Sequence, residues 1–196
     1  MARARSFDED MALDAIMRTF WTHGFRATSV DQLAAAAGVF KGSLHHAFGN
    51  KEAMFLVALE RYAERFDRRL EGALDEADPV RAVRGFFDAV VERMADPANP
   101  RGCLSTYACL EYVDLPPAAA TVVADGLDRL VDRLTEHAAE AVRIEALPPG
   151  TDPRAQAMLW YALTRGMASV HKVRGDAEEI RRLAAEGLRT LGPGVG

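Results

Sequence analysis

Between Gly38 and Lys51 the sequence carries two lysines, two histidines and no carboxylate. A polyphosphate backbone would meet no repulsion in such a window, so anion binding is the chemistry it suggests. Lys41, Gly42 and Ser43 fall at the start of a short helical segment, where free amides and the helix dipole favour phosphate. Gly42 has no side chain and would let the backbone approach a nucleobase closely. His45 and His46 project from the exposed face of the segment, while Leu44 and Phe48 share an inward spacing. Lys51 opens the next helix within reach of a phosphate. Catalytic chemistry has less to stand on, since no P-loop, G-x-S-x-G, H-E-x-x-H or paired C-x-x-C pattern occurs. His137 and His171 sit among ordinary surface charges. Cys103 and Cys109 are six residues apart, on different faces of a helix, and do not suggest a metal pair. No catalytic residue, metal or cofactor is expected.

The elements that must position these residues are helical throughout. Leu13, Ile16, Met17 and Phe20 recur at spacings of three and four, and Gly24 is a good stop. Ser29-Val30-Asp31-Gln32 reads as a capping box in front of a helix over 30–37. Gly38 permits a left-handed turn, and a third short helix runs over 42–48. A long helix opens at Lys51 or Glu52 with the stripe Phe55, Leu59, Tyr62, Phe66, Leu70. Pro79 starts the next, with Val83, Phe86, Phe87, Val90 and Met94 inward. A short apolar helix spans 103–112, and long helices span about 118–145 and 153–173. A last helix ends near Leu191. The spacing predicts nine helices and no strand or internal repeat. Two helices of about eight residues around a glycine turn are a helix-turn-helix pattern, in which the second helix enters the major groove. The same pattern also serves many all-α proteins with no nucleic acid partner.

Composition narrows the class. The 196 residues hold 24 basic against 29 acidic side chains, a net charge of −5. That charge argues against bulk nucleic-acid binding over the whole surface, but not against a local face. Residues 1–51 carry +1 and the remainder −6. No apolar run approaches the ~20 residues that span a bilayer, and the first residues lack a secretory apolar region. Two cysteines make no disulfide scaffold, so a cytoplasmic location is expected.

The run Phe20-Trp21-Thr22-His23-Gly24-Phe25-Arg26-Ala27-Thr28-Ser29-Val30-Asp31-Gln32-Leu33 carries a resemblance, continued by Ala37-Gly38-Val39, Lys41-Gly42-Ser43-Leu44, Ala47-Phe48-Gly49 and Lys51-Glu52. Together these resemble the N-terminal DNA-binding domain of TetR/AcrR-type transcriptional regulators, over about Phe7 to Tyr62 without a gap. The resemblance implies an all-α, nine-helix fold and a homodimer joined through its last two helices. It implies a helix-turn-helix domain over 1–50, a ligand-binding and dimerisation domain over 51–191, and a disordered tail over 192–196. By similarity, Ser29, Lys41, Ser43 and Lys51 would bind phosphates of a palindromic double-stranded operator, and Gly42, His45 and His46 would meet bases. His45 stands where the family usually has Tyr, which puts its role in doubt. Arg3 and Arg5 are read as a solvated tail rather than a DNA-reaching arm.

The function this implies is a dimeric repressor released from its operator by a small, largely apolar ligand. The helix from Lys51 is the expected lever. Ala162, Gly166 and Ala168, with Leu183, Gly187, Leu188 and Leu191, suit either close helix approach between subunits or the core within one. Phe66, Phe86, Phe87, Cys103, Tyr107, Tyr112, Trp160, Tyr161 and Met167 lie on the helices expected to surround a pocket. From these, Phe66, Phe87, Cys103, Tyr107 and Trp160 are taken as ligand-binding. Cys103 follows Arg101-Gly102 at a helix start, where the dipole can lower a thiol pKa. A repressor that senses electrophiles or oxidants through Cys103 is the alternative, beside a buried structural thiol. An enzyme and a helical interaction bundle are the rival classes.

Overall fold

The computed structural model describes residues 7–189. Nine α-helices and one 3-10 turn account for its regular structure, with no strand among the described residues. Helices α1 (Glu9–His23), α2 (Val30–Ala37) and α3 (Lys41–Phe48) form an N-terminal head. Helix α4 (Lys51–Leu74) leaves it and runs unbroken into a bundle of α5 (Pro79–Ala95), α6 (Leu104–Leu110), α7 (Pro117–Arg143), α8 (Pro153–Arg174) and α9 (Ala177–Arg189). The all-α, nine-helix expectation is met. Arg3, Arg5, Leu191 and the expected tail over 192–196 lie outside the described residues.

Local chemistry explains the helix starts. The Asp8 carboxylate accepts from the Asp10 and Met11 amides at 2.9 and 3.1 Å. Asp78 and Asp152 cap α5 and α8 in the same way, ahead of Pro79 and Pro153, whose missing N–H leaves nothing unpaired in a first turn. The capping box at α2 is complete: Ser29 Oγ accepts from Gln32 N at 3.2 Å, and Gln32 Oε1 accepts from Ser29 N at 2.7 Å. Gly38 then ends α2 in the left-handed region (φ 65°), which glycine enters without steric cost.

Two boundaries differ from expectation. Helix α3 begins at Lys41 rather than Gly42. The sixth helix stops at Leu110, because Glu111 leaves the spiral and a 3-10 turn over Tyr112–Asp114 carries the chain to Pro116 and Pro117.

Packing joins head and bundle through α4. Ile16, Phe20, Leu33 and Leu44 of the head are wholly buried, and α1 packs along α4, with Phe20 edge-on to Phe55 at 5.0 Å. The same α4 stripe continues as Tyr62, Phe66, Leu70 and Leu74 against Val83, Phe86, Val90 and Met94 of α5. Each such side chain contributes about 1.5–3 kcal/mol of burial energy, so head and bundle share one continuous apolar spine. Helices α7 to α9 close the far side with Val131, Leu134, Trp160, Met167, Ile180 and Leu188.

Candidate nucleic-acid interface and ligand cavity

The acid-free window becomes the outer face of α3. Lys41, Gly42, His45 and His46 are exposed and Ser43 is half-buried, while Leu44 anchors the helix to the head. Ser29 is exposed at the start of α2. Nothing lies within 4 Å of the place a Gly42 Cβ would occupy, and its backbone is ordinary helix. The fold thus does not require glycine there, although alanine would favour the helix by about 1 kcal/mol. The His45 ring donates through Nδ1 to the Gly49 carbonyl at 2.8 Å, which leaves Nε2 facing outward. Two cations are already engaged. Lys41 Nζ lies 2.8 Å from Asp31 Oδ1, with both side chains more than half exposed. Lys51 Nζ donates to the Arg26 carbonyl at 3.3 Å and sits over the Phe25 ring at 4.6 Å. An exposed pair like Lys41–Asp31 is worth at most about 1 kcal/mol, so exchanging Asp31 for a phosphate is cheap. One residue of this face escaped the sequence reading. Phe40, the N-cap of α3, is 89% exposed and presents an apolar ring beside Lys41. Its signal was a Phe in the turn with no place in either helix's inward spacing.

A second residue missed in the sequence fastens the head to the bundle. Glu111, just past α6, accepts from the Phe25 amide at 2.6 Å and the Arg26 amide at 3.2 Å. It lies close under Gly24, whose φ of 80° and lack of a side chain let it in. Arg26 pairs with Asp114 at 3.0 Å, and Lys172 of α8 donates to the Thr22 carbonyl at 2.7 Å. The head is therefore held at α4, at the end of α6 and at α8.

The central cavity lies between α4, α6, α7 and α8. Leu59, Phe66, Cys109, Val123, Leu127, Leu130, Tyr161 and Arg165 are among its walls. The α7 side is only half-buried at Val122, Val123, Leu127 and Leu130, unlike the sealed face from Val131 onward. Arg165 stacks on Tyr161 at 4.7 Å. The five residues taken from the sequence as ligand-binding do not come together here. Phe66 lines the cavity. Phe87 and Trp160 are wholly buried in side-chain packing away from it. Tyr107 faces a different groove, with His23, Leu110, Glu111 and Lys172. Cys103 is buried beside Tyr62 and lies behind the cavity wall rather than on it.

Cys103 nevertheless has a distinctive setting. Tyr62 Oη donates to its sulfur at 3.1 Å, and Arg165 approaches it at 3.8 Å. Arg93 in turn donates to Tyr62 Oη at 2.7 Å and reaches the Gly102 carbonyl at 3.4 Å. Burial alone would raise the thiol's pKa. The Arg93 and Arg165 guanidiniums, with the hydroxyls of Tyr62 and Thr106, outweigh burial and bring it down to about 5. Burial pushes the Tyr62 phenol up. His171 accepts from the Gly102 amide at 3.2 Å, and burial, then Arg101 and Arg93, lower its pKa.

The last two helices divide in their use of small residues. Ala168, Gly187 and Leu188 are buried within the chain, with Gly187 against Leu163 and Phe87. Their role is intramolecular packing. Leu159, Ala162, Gly166 and Val173 instead line one exposed edge of α8, with Leu159 53% and Val173 80% exposed.

A helix-turn-helix head whose exposed second helix carries no carboxylate, rooted by one long helix in an all-helical bundle, defines a DNA-binding regulatory protein. Residues 12–58 match the bacterial regulatory proteins of the tetR family, and residues 79–186 match the tetracyclin repressor-like C-terminal domain. The chain belongs to the tetR family of transcriptional regulators. It is 27% identical over 199 residues to the HTH-type transcriptional repressor ComR of Escherichia coli K12, covering 95% of this chain and 90% of ComR. It is 26% identical to the HTH-type transcriptional regulator RutR of the same strain, covering 96% and 93%. Its fold is similar to that of a cysteine mutant of the TetR family regulator CifR complexed with 26-bp operator DNA. There the TM-score is 0.82 and the identity 26%, covering 96% of this chain and 98% of CifR. Among the described residues no helix is long and apolar enough to cross a membrane.

Proposed function

We propose that the protein is a cytoplasmic, homodimeric repressor that binds a palindromic operator and is released by a small, largely apolar ligand, without catalytic turnover. The observation that carries this reading is the exposed face of α3, which bears no carboxylate of its own and is anchored to the head by the buried Leu44. Ser29, Lys41, Ser43 and Lys51 take backbone phosphates. Gly42, His45 and His46, joined by Phe40, meet base edges, where an apolar ring suits a thymine methyl. The head over 1–50 reads DNA, and the remainder to residue 191 binds ligand and dimerises. Two heads enter successive major grooves when their recognition helices lie about 34–36 Å apart. A ligand that favours another spacing lowers operator affinity by linkage. The central cavity supports an apolar effector with a polar group: Phe66, Leu127 and Leu130 supply the wall and Arg165 the polar partner.

The test is a footprint on DNA flanking the protein's own gene, followed by titration of the protected site at several salt concentrations. A palindromic footprint is expected, with Gly42→Glu abolishing it. Lys41→Ala should reduce the slope of log affinity against log salt by about 1. Unchanged operator affinity in Gly42→Glu and Lys51→Glu would sink the reading.

The sealed position of Cys103, 1% exposed, favours the ligand-released reading over thiol sensing, because reagents reach sulfur from solvent.

A further inference from the structure

A second cleft opens on an adjoining face of α4, between α1, α4, α5 and the loop after α5. It has a volume of about 170 Å³. Met17 and Trp21 of α1, Tyr62 and Phe66 of α4 and Arg93 of α5 are among its walls. Trp21 and Arg93 are nearly sealed, at 3% and 5% exposure. Among the described residues, three of their N–H donors, each closed off from solvent, have no hydrogen-bond partner: Trp21 Nε1, Arg93 Nε and Arg93 Nη2. Buried donors are nearly always satisfied in a folded protein, so three in one cleft mark a missing acceptor.

The charge of that acceptor follows from the surroundings. Arg93 spends Nη1 on Tyr62 Oη and the Gly102 carbonyl, neither of which is an anion at neutral pH. No carboxylate faces it among the described ion pairs. The nearest acid on the cleft wall, Asp96, accepts from the Ala98 amide at 2.8 Å and Asn99 Nδ2 at 3.3 Å within its own turn. Asp14 is held by Arg61 and Arg65. Among the described residues the anionic group that reaches Arg93 is the Cys103 thiolate, and Arg165 shares it. Two guanidiniums against one sulfur leave a positive charge over. A water molecule would satisfy the donors but not the charge, and a buried unpaired charge is expensive.

The shape narrows the ligand. Nε and Nη2 are the adjacent pair of a guanidinium that takes a carboxylate in a two-pronged grip. The Arg93 carbon Cζ lies 5.6 Å from the Trp21 ring, 5.7 Å from Tyr62 and 5.3 Å from Phe66, so the rest of the site is aromatic. Arg65 and Arg69 flank the mouth. We propose that this cleft binds a small organic monocarboxylate, gripped by Arg93 Nε and Nη2 with Trp21 Nε1 as third donor, its apolar part lying on Met17 and Phe66. The site is separate from the central cavity, and Phe66 stands between the two. Because α1 belongs to the head and α5 to the bundle, the occupant bridges them. Its regulatory consequence rests on the repressor reading above, but its binding does not.

Calorimetry on the full chain without DNA isolates the binding question from operator recognition. Acetate, hexanoate and benzoate are titrated beside acetamide, hexanamide and benzamide, with chloride as the inorganic control. At least one carboxylate should bind with one site per chain, about tenfold more tightly than its amide. Trp21→Phe keeps the ring and removes the N–H, and should weaken binding about threefold or more. Arg93→Lys keeps the charge but not the fork, and should weaken it further. Absence of saturable binding by every carboxylate up to about 10 mM, near the weakest affinity worth the name of a site, overturns the proposal. So does equal binding of acid and amide, competition by chloride at equal concentration, or binding unchanged in folded Trp21→Phe.

Discussion

Cys103 lies at the N-cap of a helix only seven residues long, yet the charges that control it come from elsewhere. Arg93 is ten residues before it and Arg165 sixty-two after. The sequence suggested a low thiol pKa from the helix terminus, whereas the structure shows convergent guanidiniums, a long-range juxtaposition that no local pattern encodes. A stability prediction follows. The folded thiol loses its proton near pH 5 and the unfolded one near its ordinary value of about 8.5. Between these values the unfolded chain holds more protons, so this contribution to stability rises with pH. It is complete above the unfolded value and is lost as pH falls through about 5. Urea denaturation of wild type and Cys103→Ser at pH 5, 7 and 9 should show the difference in unfolding free energy growing in favour of wild type. A difference that is flat or shrinks with pH would contradict the thiolate. The ligand-binding set shows a related limit. Phe87 and Trp160 are inward at helical spacing, just as Phe66 is, and periodicity identifies an inward face without saying whether it meets packing or a cavity.

Elements were more legible than sites because their signals are local. The Pro79 start of α5, the Ser29–Gln32 box and the Gly38 stop all act within four residues, and each stands where the sequence put it. The shortened α6 was not legible, since its end depends on Glu111 bonding to a turn 85 and 86 residues away. That contact gives the second prediction. Glu111→Ala removes the acceptor from two amides and should cost about 1–3 kcal/mol of stability. Hydrogen exchange should accelerate at Phe25 and Arg26 while the amides of α8 stay protected. Uniform acceleration across the chain would instead mean that Glu111 serves global stability and not the head joint.

At the scale of the whole molecule, the exposed edge of α8 is the surface we expect to join two subunits. Leu159, Ala162, Gly166 and Val173 leave an apolar strip with small residues at its middle, where a partner helix can approach closely. The sequence named Ala162 and Gly166 correctly as small and helical but grouped them with Ala168, Gly187 and Leu188, which face inward. Whether a small residue faces inward or outward depends on where α9 docks, information spread over the whole bundle. We expect Gly166→Arg to convert the dimer to a monomer by light scattering, with the helical content unchanged by circular dichroism. A dimer that survives this substitution would move the interface elsewhere.

The uninterrupted span of α4 has a mechanical consequence. Its 24 residues measure about 36 Å at 1.5 Å per residue. A tilt of about 5° at its inner end would carry Lys51 through about 3 Å, the length of a hydrogen bond. With two clefts against this one rigid rod, a displacement too small to disturb the packing around Phe66 is amplified, at the far end, into the loss of a phosphate contact.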